Sequence, residues 1–250
     1  MSTAATSNVL VLGAGGGLGQ ALIARFLSDP EVGMVIAVSR SGQTKDLSAP
    51  WLSQSRLVWI QSQYDEQSML EVVGKLAPYA GTFSRVCICH GILHDDHLWP
   101  EKRFEDIDAS AMLEIFQANT ITPSLWLKVL HKTLASKLPC IVAVFSARVG
   151  STSDNRLGGW YSYRASKAAL NSLLKSFAVE YARRLKNVKL IAFHPGTVDT
   201  DLSKPFQASV PEQNLFSAAF VADQLAEIMA SADLDGQLSY LDWDGKSIQF

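Results

Sequence analysis

Short apolar runs alternate with longer stretches of helical periodicity from one end of the chain to the other. Asn8-Val9-Leu10-Val11-Leu12 reads as a buried strand running straight into glycines, and Leu18 to Leu27 as the helix after it. Met34 to Val38 and Leu57 to Ile60 read as the second and third strands, with a helix over Gln67 to Leu76. Val86 to Cys89 reads as a fourth strand, and a long helix over about Ala109 to Leu134 leads into the strand Cys140-Ile141-Val142-Ala143-Val144-Phe145. A helix that opens at Tyr163 runs to about Leu185, with a strand over Val188 to Phe193 behind it. Helix Ala219 to Ala230 and a short strand, Leu238 to Leu241, finish the pattern. Strands apolar at every position are buried on both faces, and a parallel sheet between two helix layers buries them so. The expected architecture is therefore α/β, a doubly wound parallel sheet of about seven strands with helices on both faces. Neither a linker nor a repeat interrupts it, so residues 1–250 read as a single domain.

One helix carries a break. Pro123 has no N–H to give the carbonyl four residues back, that of Asn119. The spacing predicts a kink that leaves this carbonyl for a water or a ligand.

Composition narrows the class. With 48% hydrophobic residues and a formal charge of -2, the chain has ample core and no basic surplus for nucleic acid or an anionic membrane. No apolar run approaches the ~18 residues of a membrane span. Met1 to Ser7 has neither a basic region nor an apolar core, so no leader is expected, and three cysteines suit a reducing cytoplasm. Cys87-x-Cys89-His90, with His94 and His97, raises the question of a metal. Cys87 and Cys89 fall on one face of a buried strand with no second pair, so buried thiols and no metal are expected.

Three motifs carry chemistry. The first strand ends in Gly13-Ala14-Gly15-Gly16-Gly17-Leu18-Gly19. A glycine-rich turn between strand and helix lets a pyrophosphate approach the backbone and sit on the positive helix end. The second strand ends in Ser39-Arg40, where an acid would hold ribose hydroxyls and an arginine accommodates a 2′-phosphate. That favours NADP(H) over NAD(H). Tyr163 and Lys167 stand four residues apart and share one face of their helix. A phenol titrates near ~10, and a cation within ~4–6 Å favours the phenolate, so Lys167 is expected to lower Tyr163.

Gly13-x-x-x-Gly17-x-Gly19, Asn119, Tyr163-x-x-x-Lys167 and His194-Pro195-Gly196-Thr197-Val198-Asp199-Thr200 follow one another at intervals that resemble the short-chain dehydrogenase/reductase family. The resemblance covers essentially the whole chain. Asp154 to Lys167 and the tail Leu241-Asp242-Trp243-Asp244-Gly245 resemble its C-factor and sniffer-type carbonyl reductases. It implies a Rossmann fold, NADPH, and hydride transfer to or from the carbonyl or alcohol of a small molecule. Tyr163 is then the acid/base, Lys167 also holds the nicotinamide ribose, and the Asn119 carbonyl anchors a relay water. Gly13, Gly15, Gly17, Leu18 and Gly19 border the pyrophosphate; Pro195, Gly196, Val198 and Thr200 hold the nicotinamide.

The departures matter as much. Leu12 replaces a frequent threonine, and Ser62 falls near the usual adenine-contacting aspartate. Cys89-His90-Gly91 replaces an Asn-Asn-Ala-Gly ending, with His90 and Gly91 still expected at the cofactor. Counting back from Gly150 puts Ala147 at the family's catalytic serine, with Ser146 one place earlier. A bulge bringing Ser146 into the site is favoured over a site without this donor. Residues 203–215, with Pro205, Phe206 and Pro211, are expected to form a substrate lid. Small residues on the Tyr163 helix permit association as a homodimer or homotetramer. A nucleotide-binding sensor with little turnover is the rival reading.

Overall fold

The computed structural model describes residues 7–42 and 50–250; most of the segment read as lacking a leader, Met1 to Thr6, lies outside them. Seven strands form one sheet: β1 (Ser7–Leu12), β2 (Val32–Ser39), β3 (Leu57–Gln61), β4 (Phe83–Ile88), β5 (Cys140–Phe145), β6 (Val188–His194) and, after a two-residue pair described next, β9 (Leu238–Asp242). The pair is β7 (Thr197–Val198) and β8 (Leu215–Phe216), which bond to each other. The order across the sheet is β3-β2-β1-β4-β5-β6-β9, with every neighbouring pair parallel.

Successive strand residues face opposite sides, and the core divides accordingly. Leu10, Leu12, Val86 and Val142 pack beneath α2 (Glu66–Lys75), α4 (Thr122–Leu134) and α5 (Tyr161–Arg184). Val9, Val11, Ala143 and Ile191 pack beneath α1 (Gly17–Leu27) and α6 (Ala218–Ser231). This double covering is why the strands carry apolar residues at every position.

The long helix expected over Ala109 to Leu134 is two helices. α3 (Ala109–Phe116) ends in a π-turn over Gln117–Ile121, and α4 starts after it with Pro123 in its first turn. The break lies where Pro123 demands one, and it takes the form of an extra residue in the helical ladder. Strand order reverses between β1 and β4, and such a switch point leaves a crevice at the strands' carboxyl ends. The glycine turn after β1 and Cys89-His90-Gly91 after β4 both open there.

Candidate active site

The glycine turn packs closely against itself and against Thr200. A Cβ on Gly19 would sit 2.5 Å from the Gly13 carbonyl oxygen, and one on Gly17 would sit 2.9 Å from a Thr200 methyl. Gly16 precedes α1 without offering a side-chain cap, so the first-turn N–H groups have no capping side chain there. Gly13, Gly15, Ser39, Arg40, His90 and Gly91 border a trough of about 750 Å³ in the crevice. Arg40 is exposed, its guanidinium 5.9 Å above the ring of Tyr64, a residue that motif reading passed over. The Ser39 hydroxyl is committed to protein: it donates to the Gly42 carbonyl and accepts from the Trp59 indole. His90 is buried edge-on against Tyr64, and burial pushes its imidazole down to about 3, so it is neutral.

Asn119 is fully buried in the π-turn and ties two elements together. Its Oδ1 accepts the Ile92 N–H at 2.7 Å, while its Nδ2 donates to the Ile92 carbonyl at 2.9 Å and to Ser166 Oγ at 3.1 Å. Lys167 is also buried, with Nζ donating to the Phe145 carbonyl at 2.8 Å. A Cβ built on Gly91 would lie 3.4 Å from Lys167 Nζ and 3.5 Å from Asn119 Oδ1. Three motifs far apart in sequence meet at this point.

Tyr163 borders a second cavity, of about 490 Å³, with Leu93, Ala147, Trp160 and Phe206 around it. Pro195, Gly196, Val198, Thr200 and Leu18 border the same space. Phe206 lies in a 3-10 turn, Lys204–Ser209, within the segment expected as a lid, and its ring stands 5.2 Å from Trp160 and 5.5 Å from His94. Trp160 itself is left-handed (φ 52), following left-handed Gly158 and Gly159. Such a conformation in a bulky residue is strained and persists only where its surroundings hold it.

Two expectations need correction. Lys167 does not lower Tyr163 here. Burial raises the Tyr163 phenol, with Tyr240 adding to the rise, and burial pushes the Lys167 ammonium down to about 7. Nζ is 5.8 Å from the ring centroid, near enough to act, but desolvation disfavours charge on both groups. Ser146 is not brought in by a bulge either. The β5–β6 register runs unbroken through Phe145↔Phe193, and the Ser146 N–H continues the ladder to the Phe193 carbonyl. Ser146 borders the cavity, but its hydroxyl donates to Asn171 Oδ1 at 2.6 Å, leaving Ala147 packed with Tyr163.

The cavity carries little free charge. Arg148, at its edge, is held by Asp242 at 3.0 Å and Asp154 at 3.6 Å. His194 borders it too, pushed down to about 4 by burial and Arg148, and so neutral near pH 7.

Residues 7–211 match the profile of the family described as short chain dehydrogenase. The chain belongs to that family. This short-chain dehydrogenase is 29% identical over 211 residues to the 1-hydroxy-2-glutathionyl-2-methyl-3-butene dehydrogenase of Rhodococcus sp. (strain AD45), covering 83% of this chain and 86% of that one. It is 33% identical over 106 residues to the C-signal protein of Myxococcus xanthus, covering 42% of this chain and 62% of that one. Among solved structures, the NADPH-bound carbonyl reductase from chicken fatty liver superposes with a TM-score of 0.81 at 21% identity, over 99% of this chain and all of that one. The short-chain dehydrogenase assignment accounts for the order of the motifs, and the deep likeness to the carbonyl reductase is one of fold.

Proposed function

We propose that this short-chain dehydrogenase binds NADP(H) in the trough and reduces or forms a carbonyl on a small neutral apolar molecule in the adjoining cavity. The observation that carries the reading is Tyr163: its ring borders the apolar cavity while its helix partner Lys167 meets Asn119 and Gly91 beside the trough. The trough fits a dinucleotide, because Gly13, Gly15 and Gly16 border it without side chains to fill it and the adjoining start of α1 has no side-chain cap to compete with an anion. Gly13 and Gly15 let the pyrophosphate approach, and Arg40, rather than an acid, answers a 2′-phosphate. Lys167 and the Pro195–Thr200 segment hold the nicotinamide end. The cofactor supplies the hydride when bound. Tyr163, a protonated phenol at neutral pH, delivers the proton to the developing alkoxide, and the Asn119 turn anchors a water toward Lys167. Phe206 and its 3-10 turn cover the substrate and exclude solvent.

Neutral substrates follow from the charge balance. The relative's name specifies a glutathionyl compound, which carries carboxylates, but here Arg148 at the cavity edge is already held by two acids. NADPH oxidation followed at 340 nm over aldehydes, ketones and quinones tests the reading; turnover with none of them sinks it. Ala147 in place of a hydroxyl donor favours a second reading, a nucleotide-binding protein of low turnover, which that outcome, together with tight NADPH binding, would select.

A further inference from the structure

The helix that carries Tyr163 and Lys167 starts without a cap of its own. Trp160, the residue before it, is left-handed and offers no side-chain acceptor to the first turn. First-turn N–H groups need an acceptor, usually a Ser, Thr, Asp or Asn immediately before the helix. Here the acceptor comes from Glu101, 61 residues upstream of Ser162. Its carboxylate oxygens lie 3.3 and 3.2 Å from the Ser162 nitrogen, and Oε1 also accepts the Ser162 hydroxyl. Its main-chain carbonyl accepts the Trp160 N–H at 2.6 Å. One residue thus grips the helix on both sides of its first position.

Glu101 is 6% exposed, and the other buried carboxylate among the described residues, Asp242, answers Arg148. Glu101 is held instead by the donors of Ser162. A buried anion is unfavourable unless donors and a favourable field offset its desolvation, and the N-terminus of a 24-residue helix supplies both. What this arrangement secures is placement. Trp160 stands 6.1 Å from Tyr163 and 5.2 Å from Phe206, so a shift at the helix start moves the phenol and the cavity wall together. We infer that Glu101 is a positioning residue: by holding Trp160 and Ser162 it fixes where α5 begins and where the Tyr163 hydroxyl stands in the cavity. The inference rests on the reaction proposed above.

Glu101→Ala, Glu101→Gln and Ser162→Ala, each as NADPH-loaded full-length protein, test it by two readouts. Amide hydrogen exchange at Trp160–Tyr163 is compared with exchange at Leu170–Ala178, and kcat and KM are measured beside NADPH affinity. Glu101→Ala should quicken exchange at the helix start about tenfold or more and leave Leu170–Ala178 unchanged. It should lower kcat about tenfold or more, since sub-ångström misplacement is amplified in rate, with NADPH affinity within about twofold. Glu101→Gln, which keeps an acceptor in place, should retain most of both. Should Glu101→Ala fail to fold, Ser162→Ala carries the test, moving both readouts the same way by a smaller factor. Unchanged exchange overturns the grip. Quickened exchange with kcat within about twofold of the parent leaves only a structural cap and overturns the positioning role just as firmly. A parent that turns over no carbonyl compound instead marks failure of the reaction reading, and exchange alone then decides for or against the grip.

Discussion

Lys167 should make the cofactor-free protein less stable, and the size of that effect follows from its burial. Its pKa falls from 10.5 to about 7 because the folded chain removes the ammonium from water. A gap of about 3.5 units at ~1.36 kcal/mol each is worth roughly 5 kcal/mol. Against this stands one hydrogen bond to the Phe145 carbonyl, about 1–1.5 kcal/mol net. Lys167→Met keeps the stem volume and drops the charge, for a gain of roughly 3 kcal/mol below pH 7. At ~2–4 °C per kcal/mol for a chain of this size, Tm should rise by about 6–12 °C. The sign with pH is fixed. Between about 7 and 10.5 the unfolded chain holds more of the lysine proton than the folded one, so parent stability climbs through that window. The advantage of Lys167→Met is therefore full at pH 6 and gone by pH 10.5. Thermal unfolding of both proteins without nucleotide, from pH 6 to 10, measures it. A variant less stable than the parent at pH 6, or a Tm gap that does not change with pH, would refute the reasoning.

Other substitutions separate the remaining roles. Arg40→Ala should weaken NADPH binding by roughly 10- to 150-fold, the worth of one charge-assisted phosphate contact, and leave NADH nearly unchanged in a fluorescence titration. Tyr163→Phe should keep NADPH affinity and lower turnover by about 10²-fold or more, because the proton and not the ring is removed. With Ser146 turned to Asn171, Ala147→Ser should raise kcat on a ketone by up to about 10²-fold, the worth of one alkoxide donor, while Ser146→Ala should leave the chemistry largely intact. A gain from neither, with a loss in Ser146→Ala, would return Ser146 to the reacting centre.

The layered sheet was legible because burial on two faces writes itself into every strand position, as in Val9 to Leu12 and Cys140 to Phe145. Tyr163, Lys167 and Asn119 were legible as a group through spacing and family likeness, but not their electrical state. Desolvation of Lys167 depends on Phe145 and Gly91, which only the folded chain brings to it. Pro123 announced a break, yet the π-turn is fastened by Ile92 and Ser166, neither visible from the helix itself. At Ser146 the register stays regular and the supposed bulge came from expecting a complete site; that its hydroxyl is taken by Asn171 was not legible from the strand. Glu101 gave no signal at all, since nothing local ties a glutamate in a loop to a helix so far downstream.

The two-residue pairing of Thr197–Val198 with Leu215–Phe216 ties one wall of the Tyr163 cavity to the end of the segment that carries Phe206. Phe216 crowds Gly196 from that side, where an added Cβ would meet its ring at 2.7 Å. If the nicotinamide end rests on the Pro195–Thr200 segment, as proposed above, its binding shapes the cavity entrance before the second substrate arrives. Ligands should load in a fixed sequence, nucleotide first and last to leave. In steady-state terms, oxidised nucleotide should compete with reduced nucleotide, while the alcohol product should not compete with NADPH.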